Sequence, residues 1–168
     1  GADVVQVKYD YSQSQSGRGF SLKEILPRMR MDCVPTAQVA LQQRDYEHLT
    51  LIGKSLGTLA IPLLLDVGLP VQPQTCIFQT PILNEMLPAL GSIRQCPHTL
   101  HVIGTQDPYY NPALIEEFRT PEHDNFMLVE GANHSLEIPG ELMKSLTILE
   151  NVVDRMRKFI MGINLWLK

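Results

Sequence analysis

The sequence predicts an α/β fold with a mostly parallel sheet and helices on both of its faces. Short apolar or β-branched segments alternate along the chain with longer helical ones, and this alternation is typical of parallel strands joined by crossover helices. The 168 residues are enough for one domain with a core, so we interpret residues 1–168 as a single domain. The apolar fraction of 44% and charged fraction of 19% are typical of a soluble globular protein.

Five segments are predicted to be strands because they are short, apolar and rich in β-branched or aromatic residues. They are residues 4–9, 49–52, 75–78, 99–103 and 126–129. A polar stretch rich in Ser, Gln and Gly, residues 12–19, predicts a loop after the first strand.

Four helices are predicted between and after these strands, over residues 35–48, 56–67, 112–119 and 142–160. Pro35 suits the first turn of a helix. Pro62 conflicts with a regular helix interior, and it predicts a kink or a short first segment. In the last helix, apolar residues at spacings of three and four form one face.

Composition excludes several classes of protein. The net charge of -4 and the pI of about 5.7 do not indicate a nucleic-acid partner. No apolar run reaches the roughly 20 residues of a membrane span, and the first residues show no signal-peptide pattern. Cys33, Cys76 and Cys96 are odd in number without paired spacing, which favours buried, reduced thiols in a cytoplasmic protein over a disulfide framework or zinc site.

The segment Gly53-Lys54-Ser55-Leu56-Gly57 matches G-x-S-x-G, directly after a predicted strand and at the start of a predicted helix. In this context a sharp turn presents Ser55 as a nucleophile, and the N–H of Leu56 is predicted to stabilise a developing oxyanion. The same Gly-Lys-Ser could end a phosphate-binding loop. That motif requires a glycine five residues before Gly53, where His48 stands.

A serine nucleophile needs a base and an acid that orients the base. His134 follows the last predicted strand, whereas the other four histidines lie before or within strands. Asp107 follows the fourth predicted strand. Because the carboxyl ends of parallel strands share one edge of the sheet, we predict His134 as general base and Asp107 as the acid that orients it.

Residues 53–57, 104–108 and 131–136 together resemble the three catalytic segments of the α/β-hydrolase superfamily, in the chain order Ser, Asp, His. The resemblance implies hydrolysis of an ester, thioester or related acyl bond in a small-molecule substrate, through an acyl-enzyme, without metal or organic cofactor. It also implies a small, lidless member with an open site, because residues 79–97 are too few for a cap domain. These motifs identify the machinery and not the substrate.

The N-terminal part departs from the superfamily pattern. A second oxyanion donor comes there from a loop after the third strand, but residues 4–11 and 17–21 resemble the fourth strand and its loop. One interpretation is that a central strand and its loop lie upstream. The other is that residues 4–9 pair with 49–52, and Ser12 to Ser16 supply the donor. Two functions follow: an acyl hydrolase, or a hydrolase-fold protein that binds without catalysis.

Overall fold

A computed structural model describes residues 2–8, 10–11, 21–120 and 124–166. In these residues the chain forms an α/β fold with one parallel sheet, as predicted. The four strands follow one another in the sheet in chain order and are β1 (Thr50–Lys54), β2 (Thr75–Gln79), β3 (His98–Gly104) and β4 (Phe126–Val129). The α-helices are α1 (Leu22–Leu41), α2 (Ala60–Leu65), α3 (Leu83–Met86), α4 (Leu90–Ile93), α5 (Pro112–Phe118) and α6 (Leu142–Trp166).

The core lies on both faces of the sheet. Successive side chains of a strand point to opposite faces, and in β2 Phe78 packs on one face while Ile77 packs on the other. The first face is covered by α1 and α2, with Met29 fully buried there. The second face is covered by α6, through Val152. Because both faces are buried, the central strands are continuous apolar runs.

The first helix differs from the prediction of a helix over residues 35–48. Helix α1 begins after Ser21, whose backbone N–H and hydroxyl both donate to Glu24 Oε2, at 2.9 and 2.7 Å; a carboxylate that returns to the first residue in this way is half of a capping box. Pro35 therefore lies inside the helix. Its missing N–H weakens one turn, and burial of one face of α1 against the core outweighs that loss.

The predicted first strand is wrong in its described part. Residues 4–8 are irregular, while Tyr9 lies outside the described residues. Val4 and Val5 are 90% and 58% exposed. Their β-branched side chains favour extended backbone, but a strand also needs a neighbour for its N–H and C=O groups. Pairing of this segment with β1, one of the two interpretations above, is not observed.

The other predicted elements are present, with shifts at their ends. The segment 56–67 divides into a 3₁₀ turn, Ser55–Leu59, and α2. Pro62 lies in the first turn of α2, where its missing N–H costs nothing. Helices α3 and α4, with the 3₁₀ turn Leu87–Ala89 between them, escape prediction because single turns are too short to show a period.

No helix among the described residues combines the length and the apolar character needed to cross a membrane. Cys33, Cys76 and Cys96 are buried free thiols, as the sequence predicts. The hydrogen bond with Cys96, together with burial, raises the pKa of the Cys76 thiol, so this cysteine is neutral and a poor nucleophile. The cytoplasmic location stays a prediction.

His101 is an unusual core residue in the middle of β3. Its ring lies between Phe78 and Phe126, with centroid distances of 4.6 and 4.7 Å and planes 6° and 13° from parallel. Neither ring nitrogen has a hydrogen-bond partner among the described residues. Burial lowers the pKa of His101 to about 3, because the imidazolium would lose its hydration. The folded protein therefore holds this histidine neutral.

We predict that His101 makes the fold sensitive to acid. The unfolded chain binds a proton at His101 below about pH 6.5, whereas the folded chain binds one only near pH 3. The contribution of His101 to the free energy of unfolding is therefore complete above pH 6.5 and falls as the pH drops toward 3, by about 2–3 kcal/mol between pH 7 and 4.5. His101→Leu should remove that part of the pH dependence, measured by urea unfolding at both pH values.

The matched control is Phe78→Leu, which disturbs the same stack but keeps the imidazole. It should lower the free energy of unfolding at both pH values and leave the difference between them as in the wild type. Equal pH dependence in His101→Leu and the wild type would contradict the assignment.

Candidate functional site

Ser55 lies at the carboxyl end of β1, on a sharp turn. Its φ of +51° is in the left-handed region, which costs a residue other than glycine about 1–3 kcal/mol. Gly53 allows the turn, because a Cβ there would lie 2.5 Å from the carbonyl oxygen of Gly57. The hydroxyl of buried Thr58 donates to the carbonyl oxygen of Ser55 at 2.6 Å. The strained serine backbone is thus held from both sides.

Asp107 follows β3, two strand positions from β1. Its side chain is 0% exposed. Carboxylate oxygen Oδ1 accepts the backbone N–H of Tyr109 at 2.9 Å, and the Asp107 N–H donates to the carbonyl oxygen of Gly104 at 3.2 Å. A buried carboxylate is costly unless it is hydrogen-bonded. The remaining carboxylate oxygen, Oδ2, faces His134.

The loop after β4 carries His134, and Asn133 determines its shape. The Asn133 Oδ1 accepts the backbone N–H groups of Ser135 and Glu137, at 2.9 and 3.1 Å. Leu136 takes a φ of +63°, which completes the tight reversal. A side-chain oxygen that accepts a backbone N–H two residues further on forms an Asx turn. Here the turn joins Asn133 and Ser135, the residues directly before and after His134, and so holds the backbone that carries the imidazole.

The histidine loop is docked directly on the loop that carries Asp107. The Gln106 N–H donates to the carbonyl oxygen of Ala132 at 2.9 Å, and the Gly131 N–H donates to the Thr105 hydroxyl oxygen at 2.8 Å. A Cβ on Gly104 would lie 2.0 Å from the carbonyl oxygen of Ala132. Only glycine permits this approach, so the two loops form one rigid unit.

The three predicted side chains meet in a hydrogen-bonded chain. Ser55 Oγ lies 2.7 Å from His134 Nε2, and His134 Nδ1 lies 2.8 Å from Asp107 Oδ2. An ionised carboxylate only accepts, so we assign the imidazole proton to Nδ1 and the accepting lone pair to Nε2, to which the serine hydroxyl donates. The His134 side chain is 32% exposed and that of Asp107 is 0% exposed. The hydrogen-bonded chain therefore leads from a half-buried serine through a partly exposed histidine to a buried acid.

Tyr109 contacts both the acid and the histidine. Besides its backbone bond to Asp107, its ring meets the His134 ring at a centroid distance of 5.4 Å and an angle of 64°. The two in-plane hydrogen bonds of the imidazole do not prevent it from tilting about the line through its nitrogens. A ring packed edge-to-face restrains that tilt.

Leu56, the predicted oxyanion donor, is half-buried in the first turn of Ser55–Leu59. An N–H at the start of a helix has no acceptor within that helix, and the role of the Leu56 N–H as an oxyanion donor stays a prediction. The other predicted source of a donor, Ser12 to Ser16, lies outside the described residues.

The sequence predicts the three side chains of the hydrogen-bonded chain, but three residues that hold them are not predicted: Gly104, Tyr109 and Asn133. A local signal exists for Asn133, because Asn before a polar residue in a Gly-containing loop favours an Asx turn. Gly104, at the end of a strand, is a weaker signal of close backbone approach. The ring contact of Tyr109 depends on the fold and has no sequence signature.

Comparisons with protein-family models, curated proteins and solved structures find no match to this chain. The geometry and chemistry of the site are therefore what indicates a function.

We predict that Gly104→Ala separates the two loops. The added methyl would overlap the carbonyl group of Ala132, and overpacking of this kind costs about 1–3 kcal/mol. Urea unfolding should show that loss. We expect the wild type to give a far-downfield NMR signal from the His134 Nδ1 proton, and this signal should vanish in the variant as the bond to Asp107 breaks.

Gly91→Ala is the control, because a Cβ at Gly91 meets nothing within 4 Å. It should keep the downfield signal and leave the free energy of unfolding unchanged or slightly higher. A Gly104→Ala protein with normal stability and an intact signal would show that the approach at Gly104 is unimportant.

Proposed function

We propose that this chain is a serine hydrolase that cleaves an ester, thioester or related acyl bond through an acyl-enzyme intermediate. One observation carries the proposal: the hydrogen-bonded chain from Ser55 through His134 to Asp107, with distances of 2.7 and 2.8 Å. A serine hydroxyl is a weak nucleophile at neutral pH, and an adjacent base oriented by a third group activates it. That arrangement lies at the carboxyl edge of the sheet, where His134 is 32% exposed and Ser55 is half-buried.

In the first half of the reaction, Ser55 Oγ attacks the acyl carbon while His134 Nε2 takes the hydroxyl proton. The Asp107 carboxylate stabilises the imidazolium that forms. The Leu56 N–H donates to the oxyanion of the tetrahedral intermediate. The bond to the leaving group then breaks, His134 returns its proton to the leaving oxygen or sulfur, and the acyl group stays on Ser55 as an ester.

In the second half, a water molecule takes the place of the leaving group. His134 removes a proton from this water as it attacks the acyl carbon of the ester. Collapse of the second tetrahedral intermediate releases the carboxylic acid, and His134 returns the proton to Ser55 Oγ. The same side chains serve both halves, so no further group is needed to regenerate the enzyme.

We also propose the α/β-hydrolase fold for the chain. The strained serine between a strand and a helix, the chain order Ser, Asp, His and the parallel sheet covered on both faces all support it. Between the end of β2 and the start of β3 the chain forms only α3, α4 and the 3₁₀ turn between them, and such short elements support an open site without a lid.

The alternative is a hydrolase-fold protein that binds without cleaving. The described residues offer Leu56 as an N–H donor directly beside Ser55, and tetrahedral intermediates are usually held by two donors. The second donor of an active enzyme would have to come from elsewhere.

We expect Ser55→Ala to lower the hydrolysis of a short p-nitrophenyl ester by several powers of ten, because it removes the nucleophile. A fluorophosphonate probe, which reacts only with activated serines, should label the wild type and not the variant. Ser135→Ala, which changes an exposed serine of the histidine loop, is the matched control and should label normally. A wild-type protein that binds esters but is never labelled would favour the non-catalytic alternative.

Tyr109→Ala should lower kcat roughly 3- to 10-fold, since an aromatic contact of this kind contributes about 0.5–1.5 kcal/mol. The effect should fall on kcat more than on KM, because the ring acts on the base. Tyr109→Phe keeps the ring and should restore activity. If Tyr109→Phe were as slow as Tyr109→Ala, the ring contact would not be the cause.

A further inference from the structure

Lys54 is the last residue of β1 and directly precedes Ser55. Its backbone is extended, with φ −121° and ψ 135°, so its side chain lies on the face of the strand opposite that of Gly53. The serine turn folds over the Gly53 face, since a Cβ on Gly53 would lie 2.5 Å from the carbonyl oxygen of Gly57. Lys54 is therefore next to the nucleophile but on the other face of the sheet.

The ammonium group of Lys54 has no bonded partner in the part of the chain that the structure describes. The side chain is exposed, and no ion pair or hydrogen bond joins it to another described residue. Its neighbour in register is Gln79 of β2, whose amide contacts Met156 of α6 at 2.8 Å. Strand β1 is the edge strand of the described sheet, so beyond Gln79 the ammonium group faces solvent.

Lys54 is also the one lysine or arginine in the segments that end or follow the four strands, residues 53–57, 79–85, 104–110 and 130–137. The acids of these segments lie elsewhere. Asp107 is buried, and Glu85 belongs to α3, which packs on the first face of the sheet. Glu130 and Glu137 follow β4, which is three strand positions or roughly 14 Å from β1, more than the Debye length at physiological salt. A negative group at this edge is therefore attracted at one point.

The proposed reaction assigns a direction to each group on the acyl carbon. The leaving group must face His134, which returns a proton to it. The oxyanion is expected to face the Leu56 N–H, in the turn over the Gly53 face of β1. The acyl chain takes the remaining direction, toward the face on which Lys54 lies.

We propose that Lys54 is a specificity-determining residue that binds a terminal carboxylate on the acyl chain of the substrate. The substrate class is then the monoesters and monothioesters of dicarboxylic acids. Lysine carries a compact charge on a flexible four-carbon stem, so it can follow the carboxylate over a range of chain lengths. This inference rests on the proposed function, because it assigns the direction of the acyl chain from that reaction.

Two other roles for Lys54 predict different kinetics. If the lysine only keeps the surface hydrophilic, its removal changes no rate. If it stabilises the oxyanion, its removal slows charged and neutral substrates alike. A contact with the acyl carboxylate instead changes the ratio of kcat/KM between a charged ester and a neutral ester of equal length.

The test compares two p-nitrophenyl esters with six-carbon acyl chains: the adipate monoester, which ends in a carboxylate, and the hexanoate, which ends in a methyl group. Lys54→Met keeps an unbranched stem and removes the charge. It should lower the adipate-to-hexanoate ratio of kcat/KM about 2- to 5-fold, the range for a charge pair open to water. In the wild type the ratio should also fall as salt is raised to 1 M, where the Debye length is about 3 Å.

Three further measurements serve as controls. Lys54→Glu should lower the ratio below that of Lys54→Met, because its carboxylate repels the adipate. Lys23→Met removes an exposed lysine of α1 and should keep the wild-type ratio. In Lys54→Met the ratio should no longer fall with salt. An unchanged ratio in both Lys54 variants, or an equal loss on both esters, would overturn the proposal.

Failure of the proposed function gives a separate result. A wild-type protein that hydrolyses neither ester would refute the hydrolase, and the role of Lys54 would fall with it. A wild-type protein that hydrolyses both esters, with the same ratio in Lys54→Met, would refute the role of Lys54 alone.

Discussion

The shared carboxyl edge of the parallel strands is the constraint on which the rest of this structure depends. Ser55, Asp107 and His134 are separated by up to 79 positions along the chain, yet each follows a strand that ends at that edge. The sheet therefore fixes roughly where the three loops begin. Only a few local contacts are then needed to bring the side chains to hydrogen-bond distance.

Those local contacts are concentrated between the loops after β3 and β4. The absence of a side chain at Gly104 lets the Ala132 carbonyl group approach, and the bonds from Gln106 and to Thr105 fix the distance. The imidazole is thus placed by backbone packing before it bonds to Asp107. Because the two loops pack directly on each other, no long flexible segment separates the buried acid from the partly exposed base, and the distance between them varies little.

Local composition predicts which segments are buried, but not which segments find a pairing or packing partner. The strands β2, β3 and β4 are predictable because burial on both faces leaves an apolar run that local composition reports. Residues 4–8 are also rich in β-branched side chains, yet they form no strand. A strand needs a pairing partner, and local composition does not show whether one is present. Pro35 misleads for a related reason: burial of one face of α1 outweighs a local signal for a helix start.

The same distinction applies to the candidate site. Ser55, Asp107 and His134 are predictable because their chemistry requires particular residue types after particular strands. Gly104 and Tyr109 act through neighbours distant in sequence, and their residue types alone do not predict those contacts. The sequence therefore predicts the side chains of the candidate site more readily than the residues that orient them.

The position of Ser55 links its strain to the uncovered edge. A left-handed serine persists only where the surrounding structure over-determines it, and here the support comes from Gly53 before the turn and Thr58 after it. On the sheet side, β1 is paired through β2 alone among the described residues. Strands paired on one side open more readily than central strands. A neighbour on the free edge would therefore stabilise the turn that presents the serine hydroxyl, and with it the position of Ser55 relative to His134.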